Sequence, residues 1–241
     1  MTNPADTPAP SPLTLAIFGA GGVTGDAAVN IALARGHRVC ALERDLPDAA
    51  DRRHGAEYRA ADVLSDDLAP QLRGVDAVIS CLGVGNDAKT LLDPPPLYTK
   101  GTSAICDAMD GVGCRRLVVI SASFVEEKNR GPLWFKLPAM AGLSRIFDQM
   151  AQMESNLLAR DTIDWTAVRP GWLMEGARTD DYTVQANVIP EGMIRTRHAD
   201  LAAFMVSLAE SGDWLRRTPA IARHEAAECS SPEAVAKAFL G

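Results

Sequence analysis

Residues 15–25 read Leu-Ala-Ile-Phe-Gly-Ala-Gly-Gly-Val-Thr-Gly, an apolar strand running directly into a glycine-rich turn. Few folds admit such a segment. Gly19, Gly22 and Gly25 stand three apart. Gly19 permits the tight turn leaving the strand, Gly22 lets a pyrophosphate approach the backbone, and Gly25 lets the next helix close against the sheet. The helix predicted over Val23–Ala34 aims its free N–H groups and positive dipole end at that turn. Gly21, Val23 and Thr24 complete the expected phosphate cradle. A second strand, predicted at His37–Leu42, follows at the distance of a βαβ unit, and this context sets the glycines apart from an ordinary strand–helix turn.

The same rhythm continues along the chain. Leu13–Phe18, His37–Leu42, Glu57–Ala61, Val75–Ser80, Arg116–Ser121 and Ile163–Val168 read as strands. The fourth and fifth are near-continuous apolar runs, as expected for parallel strands covered on both faces. Helices are predicted over Val23–Ala34, Ser65–Leu72, Leu97–Met109 and Ser144–Ala159, with Ser65-Asp-Asp supplying a cap and acidic charge. The alternation implies an α/β fold, a doubly wound, mostly parallel Rossmann sheet with right-handed crossovers. After Gly171 the rhythm breaks. Short extended pieces around Val184–Ile189 and Met193–Thr196 precede a helix over Asp200–Ala209, a strand at Pro219–Ala222 and a last helix over Pro232–Phe239. The expected organisation is a disordered tail over 1–12 and a single domain over 13–241. Within that domain, 171–241 form a small C-terminal extension on the substrate side.

Composition narrows the function classes. A net charge of -7 argues against a nucleic-acid surface, since phosphate affinity rests on clustered Lys and Arg. No apolar run reaches membrane-spanning length, and the Pro/Ala-rich start lacks the features of a signal peptide. Five scattered cysteines with no Cys-x-x-Cys pair, and four histidines without ligand spacing, point away from a metal site. They suit a reducing, cytoplasmic compartment.

The second strand ends Leu42-Glu43-Arg44-Asp45. A carboxylate at Glu43, some 20 residues beyond the glycine turn, is placed to accept from both ribose hydroxyls of NAD. Arg44 could instead pair with the 2′-phosphate of NADP, with Arg52 and Arg53 nearby in sequence. The two signals conflict unless the carboxylate turns away from the phosphate or is bridged by arginine. Asp62-Val63 follows the third strand, where the acid either receives the adenine amine or closes a turn. Cys81-Leu82-Gly83 follows the fourth, at the carboxyl edge where open α/β sheets bind ligands.

Together with Trp165-Thr-Ala-Val-Arg-Pro-Gly, and with Tyr182 and His198-Ala-Asp200 further on, these segments resemble the atypical short-chain dehydrogenase/reductases. The nearest branch is the NmrA-like, NAD(P)-binding one that includes flavin reductases of the biliverdin reductase B kind. The resemblance runs from about Leu13 to Ala222. It implies that Arg44 contacts the 2′-phosphate, making NADP the expected cofactor with NAD possible. It also implies a small-molecule substrate and allows a homodimer.

Typical superfamily members transfer a proton through a Tyr-x-x-x-Lys pair. This chain has no such pair, and neither Tyr nor Lys occurs between Phe147 and Ala159. What remains is Ser121-Ala-Ser-Phe at the end of the fifth strand. In the resembling branch the functional serine falls at the position of Ala122, here flanked by Ser121 and Ser123. Either serine could bond a substrate carbonyl or the nicotinamide amide, or simply close a turn. Glu154 could give a proton if burial raised its pKa, or stand solvated on a helix face; Asp148, Met150, Lys100 and Arg169 are further candidates. Trp134, Phe135, Met140, Trp172 and Met174 could cover a flat substrate or pack a core. The expected activity is hydride transfer from NAD(P)H to an apolar conjugated acceptor: a flavin, a quinone or a conjugated carbonyl. A non-catalytic NAD(P) sensor and an NAD-dependent epimerase are the alternatives.

Overall fold

The computed structural model describes residues 11–85, 87, 90, 93–127, 139–230 and 234. The first half comprises β1 (Thr14–Phe18), α1 (Val23–Ala34), β2 (Arg38–Glu43), β3 (Ala56–Ala60), α2 (Ala69–Leu72), β4 (Ala77–Ser80), α3 (Thr102–Val112) and β5 (Arg116–Ile120). Then come α4 (Phe124–Glu127), α5 (Ala139–Leu158), β6 (Asp164–Pro170), β7 (Trp172–Met174), β8 (Thr183–Ala186), β9 (Arg195–Arg197), α6 (His198–Ser211) and β10 (Pro219–Ala222).

The main sheet has the order β3-β2-β1-β4-β5-β6-β10-β8. Every pairing is parallel except that of β8 with β10. A separate parallel pair joins β7 to β9. This is the doubly wound sheet expected from the alternation. The chain leaves β1 on one side toward β2 and returns on the other as β4, which opens a crevice at the carboxyl ends of β1 and β4.

The apolar runs are explained by the sheet's two covered faces. In β1, Ala16 and Phe18 enter one core and Leu15 and Ile17 the other; in β5, Leu117 and Val119 oppose Val118 and Ile120. Alternate residues point to opposite faces, so a strand covered on both sides must be apolar throughout. The first core also takes Ile105 and Met109 from α3 and Phe147, Met150 and Met153 from α5. The second takes Ala28, Val29 and Ala32 from α1 and Leu201, Met205 and Leu208 from α6. Buried Arg116 ties α6 to the sheet by donating to the carbonyls of Leu208, Asp164 and Asp213.

Several boundaries differ from the sequence reading. The helix expected from Ser65 begins only at Ala69. Asp62, Asp66 and Asp67 accept from the backbone N–H groups of Leu64, Asp62 and Ala69, closing turns that compete with a helix. The helix expected from Leu97 is divided. One π-type turn, Leu97–Gly101, is marked by the Gly101 N–H bonding to Pro96 O, and α3 follows it. α6 starts two residues early, at His198, and β7 and α4 were not anticipated. Trp134, Phe135, the tail over 1–10 and, apart from residue 234, the final helix over 232–239 lie outside the described residues.

Candidate functional site

The crevice between β1 and β4 opens into a cleft of about 900 Å³. Its first wall is the glycine turn, where the three glycines meet three different constraints. Gly19 adopts φ +71°, and a Cβ on it would lie 2.7 Å from Cys81 O. A Cβ on Gly25 would lie 1.9 Å from Gly19 O. These two are glycine because the strand, the turn and the helix touch there. Gly22 is different: among the described residues nothing comes nearer to its Cβ position than Gly19 O at 3.4 Å. It faces the cleft beside Val23 and Thr24. α1 carries no side-chain cap, so its first-turn N–H groups, which have no intrahelical partner, face open space. An uncapped helix start at an open glycine, within a cleft of this size, fits a dinucleotide pyrophosphate.

The next part of the cleft is built by the tips of β2 and β3. Glu43 turns inward and accepts a hydrogen bond from the Gly21 N–H. Burial pushes its carboxyl above the ordinary range, opposed by that hydrogen bond and by Arg44. Arg44 is exposed on the cleft rim and pairs with Asp45 at 2.8 Å. Arg52 and Arg53 are engaged elsewhere. Arg53 clamps Asp26 with two 2.7 Å bonds, and Arg52 donates to Pro47 O and lies over the Tyr58 ring. Asp62 lines the cleft, and its Oδ1 accepts from the Leu64 N–H, the turn-closing role considered for it. Val63 is buried behind it.

Beside the glycine turn, past the end of β4, stand Cys81, Leu82 and Gly83, and then Ser121 at the end of β5. Burial pushes the Cys81 thiol up to about 12, which leaves it unreactive near neutral pH. Phe124, Phe147 and Trp172 form an aromatic wall, with Phe124 centred 5.1 Å from Phe147 and 4.9 Å from Trp172. Of the apolar residues anticipated here, Trp172 is in place. Met174 is half-buried but off the cleft, and the Met140 side chain lies outside the described residues. Phe124 and Phe147 were missed. Phe124 directly follows Ser121-Ala-Ser, a signal that could have found it.

Not every candidate reaches the cleft. Gly21 and Gly25 are not part of its lining, one bonded to Glu43 and the other packed on Gly19. Ser123 is fully buried, and its hydroxyl has no hydrogen-bond partner among the described residues. Glu154 lies off the cleft in a two-bond ion pair with Arg169, at 2.9 and 2.6 Å, where its oxygens act as acceptors. Lys100 and Asp148 are exposed and away from the cleft lining. Tyr98 does line it, but burial lifts its phenol to about 12.

The C-terminal extension supplies the remaining wall through His198, whose Nδ1 lies 2.6 Å from Thr24 Oγ1. Fully buried Asp200 holds the loop before β8 by accepting from the Thr179 and Asp180 N–H groups and from the Thr179 hydroxyl. Tyr182 packs on Phe204.

Residues 19–211, from the first glycine to the end of α6, match the family model described as NAD(P)H-binding. The chain belongs to this NAD(P)H-binding family. Solved structures share its fold. The oxidoreductase YlbE from Lactococcus lactis is 19% identical with a TM-score of 0.71, over 93% of this chain and 96% of that one. A Streptococcus pneumoniae TIGR4 protein, provisionally named an NADH-flavin reductase, is 22% identical with a TM-score of 0.71, over 88% and 100%. ChuY, an anaerobilin reductase from Escherichia coli O157:H7, is 22% identical with a TM-score of 0.68, over 86% and 96%. Family and fold agree with the resemblance to atypical short-chain dehydrogenase/reductases. Among the described residues of this NAD(P)H-binding protein, no helix is long and apolar enough to cross a membrane.

Proposed function

We propose that this protein is an NAD(P)H-dependent reductase of a planar, conjugated acceptor, such as a flavin, a quinone or a conjugated carbonyl. The observation that carries this reading is the aromatic wall of Phe124, Phe147 and Trp172, in the same cleft as the uncapped glycine turn. Gly22, Val23 and Thr24 would hold the pyrophosphate. Asp62 and Val63 would border the adenine, and Cys81–Gly83 with Ser121 the nicotinamide. A bound nicotinamide supplies the hydride. The chain's own part is to hold a flat acceptor against it and to keep water from between the two.

Among the described residues no lysine lines the cleft, and Tyr98, which does, is held protonated by burial. In this reading solvent delivers the proton once charge has spread into the conjugated product. NADP is the preferred cofactor in this reading, with NAD able to bind. Glu43 is already turned toward Gly21, and Arg44 at the rim gives up only an exposed pair with Asp45, of small worth, to reach a 2′-phosphate.

Steady-state oxidation of NADPH and NADH with a panel of flavins and quinones tests the proposal. Turnover with a planar acceptor is the expected result. Tight dinucleotide binding without turnover of any acceptor would make the protein a sensor, the reading that the missing Tyr–Lys pair also permits.

A further inference from the structure

We infer that Ser121 serves the cleft as a hydrogen-bond acceptor, fixed in that polarity by Glu154 and Arg169, and that it receives an amide or imide N–H. The inference rests on the reductase reading above and adds a specificity element to it.

Ser121 lies on the cleft wall at the end of β5 and is 1% exposed. Its Oγ is 2.6 Å from Glu154 Oε1. Glu154 also accepts from Arg169 Nε at 2.9 Å and from Nη2 at 2.6 Å. A guanidinium only donates, so the carboxyl group facing it offers acceptor oxygens. The proton between Ser121 and Glu154 therefore belongs to the serine. A hydroxyl has one proton and two lone pairs. With the proton committed, the lone pairs are what Ser121 has left for a ligand, and no hydrogen bond found among the described residues fills them.

Arg169 is itself fixed. Its Nη1 donates to Asn187 O at 2.8 Å and to Glu126 at 3.3 Å. Burial pulls the guanidinium down, but hydrogen bonding and charge from Glu154, with a further contribution from Glu126, more than offset it. Glu154 and Arg169 line a separate cavity of about 700 Å³, so the Ser121–Glu154 bond crosses the wall between that cavity and the cleft. They are positioning residues. At a hydroxyl this buried, an N–H facing Ser121 is satisfied, whereas a carbonyl facing it leaves two acceptors opposed.

Two groups could supply the N–H: the carboxamide of the nicotinamide, or an imide of the acceptor ring, as in a flavin. The experiment has an arm for each and uses the full chain. In the first, calorimetry compares the Kd of the reduced dinucleotide with that of its 3-acetylpyridine analogue, which replaces the carboxamide NH2 by methyl. In the second, kcat/KM is compared for riboflavin and its N3-methyl derivative. The wild type should prefer the N–H partner in one arm by about three- to tenfold, and Ser121→Ala should erase that preference. Glu154→Gln should reduce the same preference and Glu154→Asp should restore part of it. A structural role alone would change both ligands equally. Ser121→Ala leaves the Glu154–Arg169 pair in place, so the test does not depend on the Glu154 variants folding. No preference in either arm, or one that survives Ser121→Ala, overturns the inference while leaving the reductase reading intact. Failure of the wild type to bind either dinucleotide would overturn both.

Discussion

Thr24 Oγ1 and His198 Nδ1 lie 2.6 Å apart, joining the first turns of α1 and α6 where both helices face the cleft. Burial pulls the His198 imidazole below its ordinary 6.5, with Glu175 acting in the opposite direction. The sign of the pH effect follows. The unfolded chain takes up this proton more readily than the folded one, so the contribution is complete above the unfolded value. It is lost as pH falls toward the lowered folded value. Denaturant titrations from neutral pH to about pH 5 should show wild-type stability falling more than that of His198→Gln. Parallel curves for the two proteins would mean that His198 is not the group responsible.

Gly22 and Gly25 should respond in opposite ways to an added side chain. Gly22 has extended backbone angles and an open Cβ position, so Gly22→Val should keep its fold by circular dichroism. It should nonetheless lose dinucleotide binding by about a hundredfold or more, because the side chain occupies the pyrophosphate's space. Gly25→Ala should instead fail to fold or lose much of its thermal stability, since its methyl would meet Gly19 O at 1.9 Å. Undiminished affinity in Gly22→Val would place the dinucleotide elsewhere.

Cofactor choice is expected to rest on Arg44. Arg44→Ala should weaken NADPH by about ten- to a hundredfold and leave NADH nearly unchanged, the pattern of one lost charge-assisted contact. Glu43→Ala removes the acceptor of the Gly21 N–H and should weaken NADH more than NADPH. Calorimetric Kd values for the two cofactors read both effects. A wild-type preference for NADH that ignores Arg44 would assign the choice to Glu43.

The aromatic wall should control the acceptor and not the cofactor. Trp172→Ala exposes one side of Phe124 and should lower kcat/KM for a planar acceptor by about tenfold, within the usual worth of an aromatic contact. Dinucleotide Kd should stay the same. Loss of dinucleotide affinity instead would move the wall to the cofactor's side of the cleft.

The sequence by itself determined the sheet and the glycine turn of the cleft, because both are local. Strand periodicity reports burial within five or six residues, and the turn from Gly19 to Gly25 is one continuous segment in which Gly19 and Gly25 meet demands that only glycine satisfies. The same holds for α1 and β10, whose boundaries were read as they stand. What only the tertiary structure decided depends on residues far apart in the chain. Glu43 and Arg44 carry conflicting signals in the sequence, and only the fold shows Glu43 set against Gly21, 22 positions away. Glu154 looked like an acid on a helix face until β6 set Arg169 against it, and Ser121 gained its polarity from that pair. The asymmetry is physical. A backbone conformation is fixed by its nearest neighbours, whereas the direction of a side chain's hydrogen bond is fixed by whichever partner the packed fold places within three ångströms.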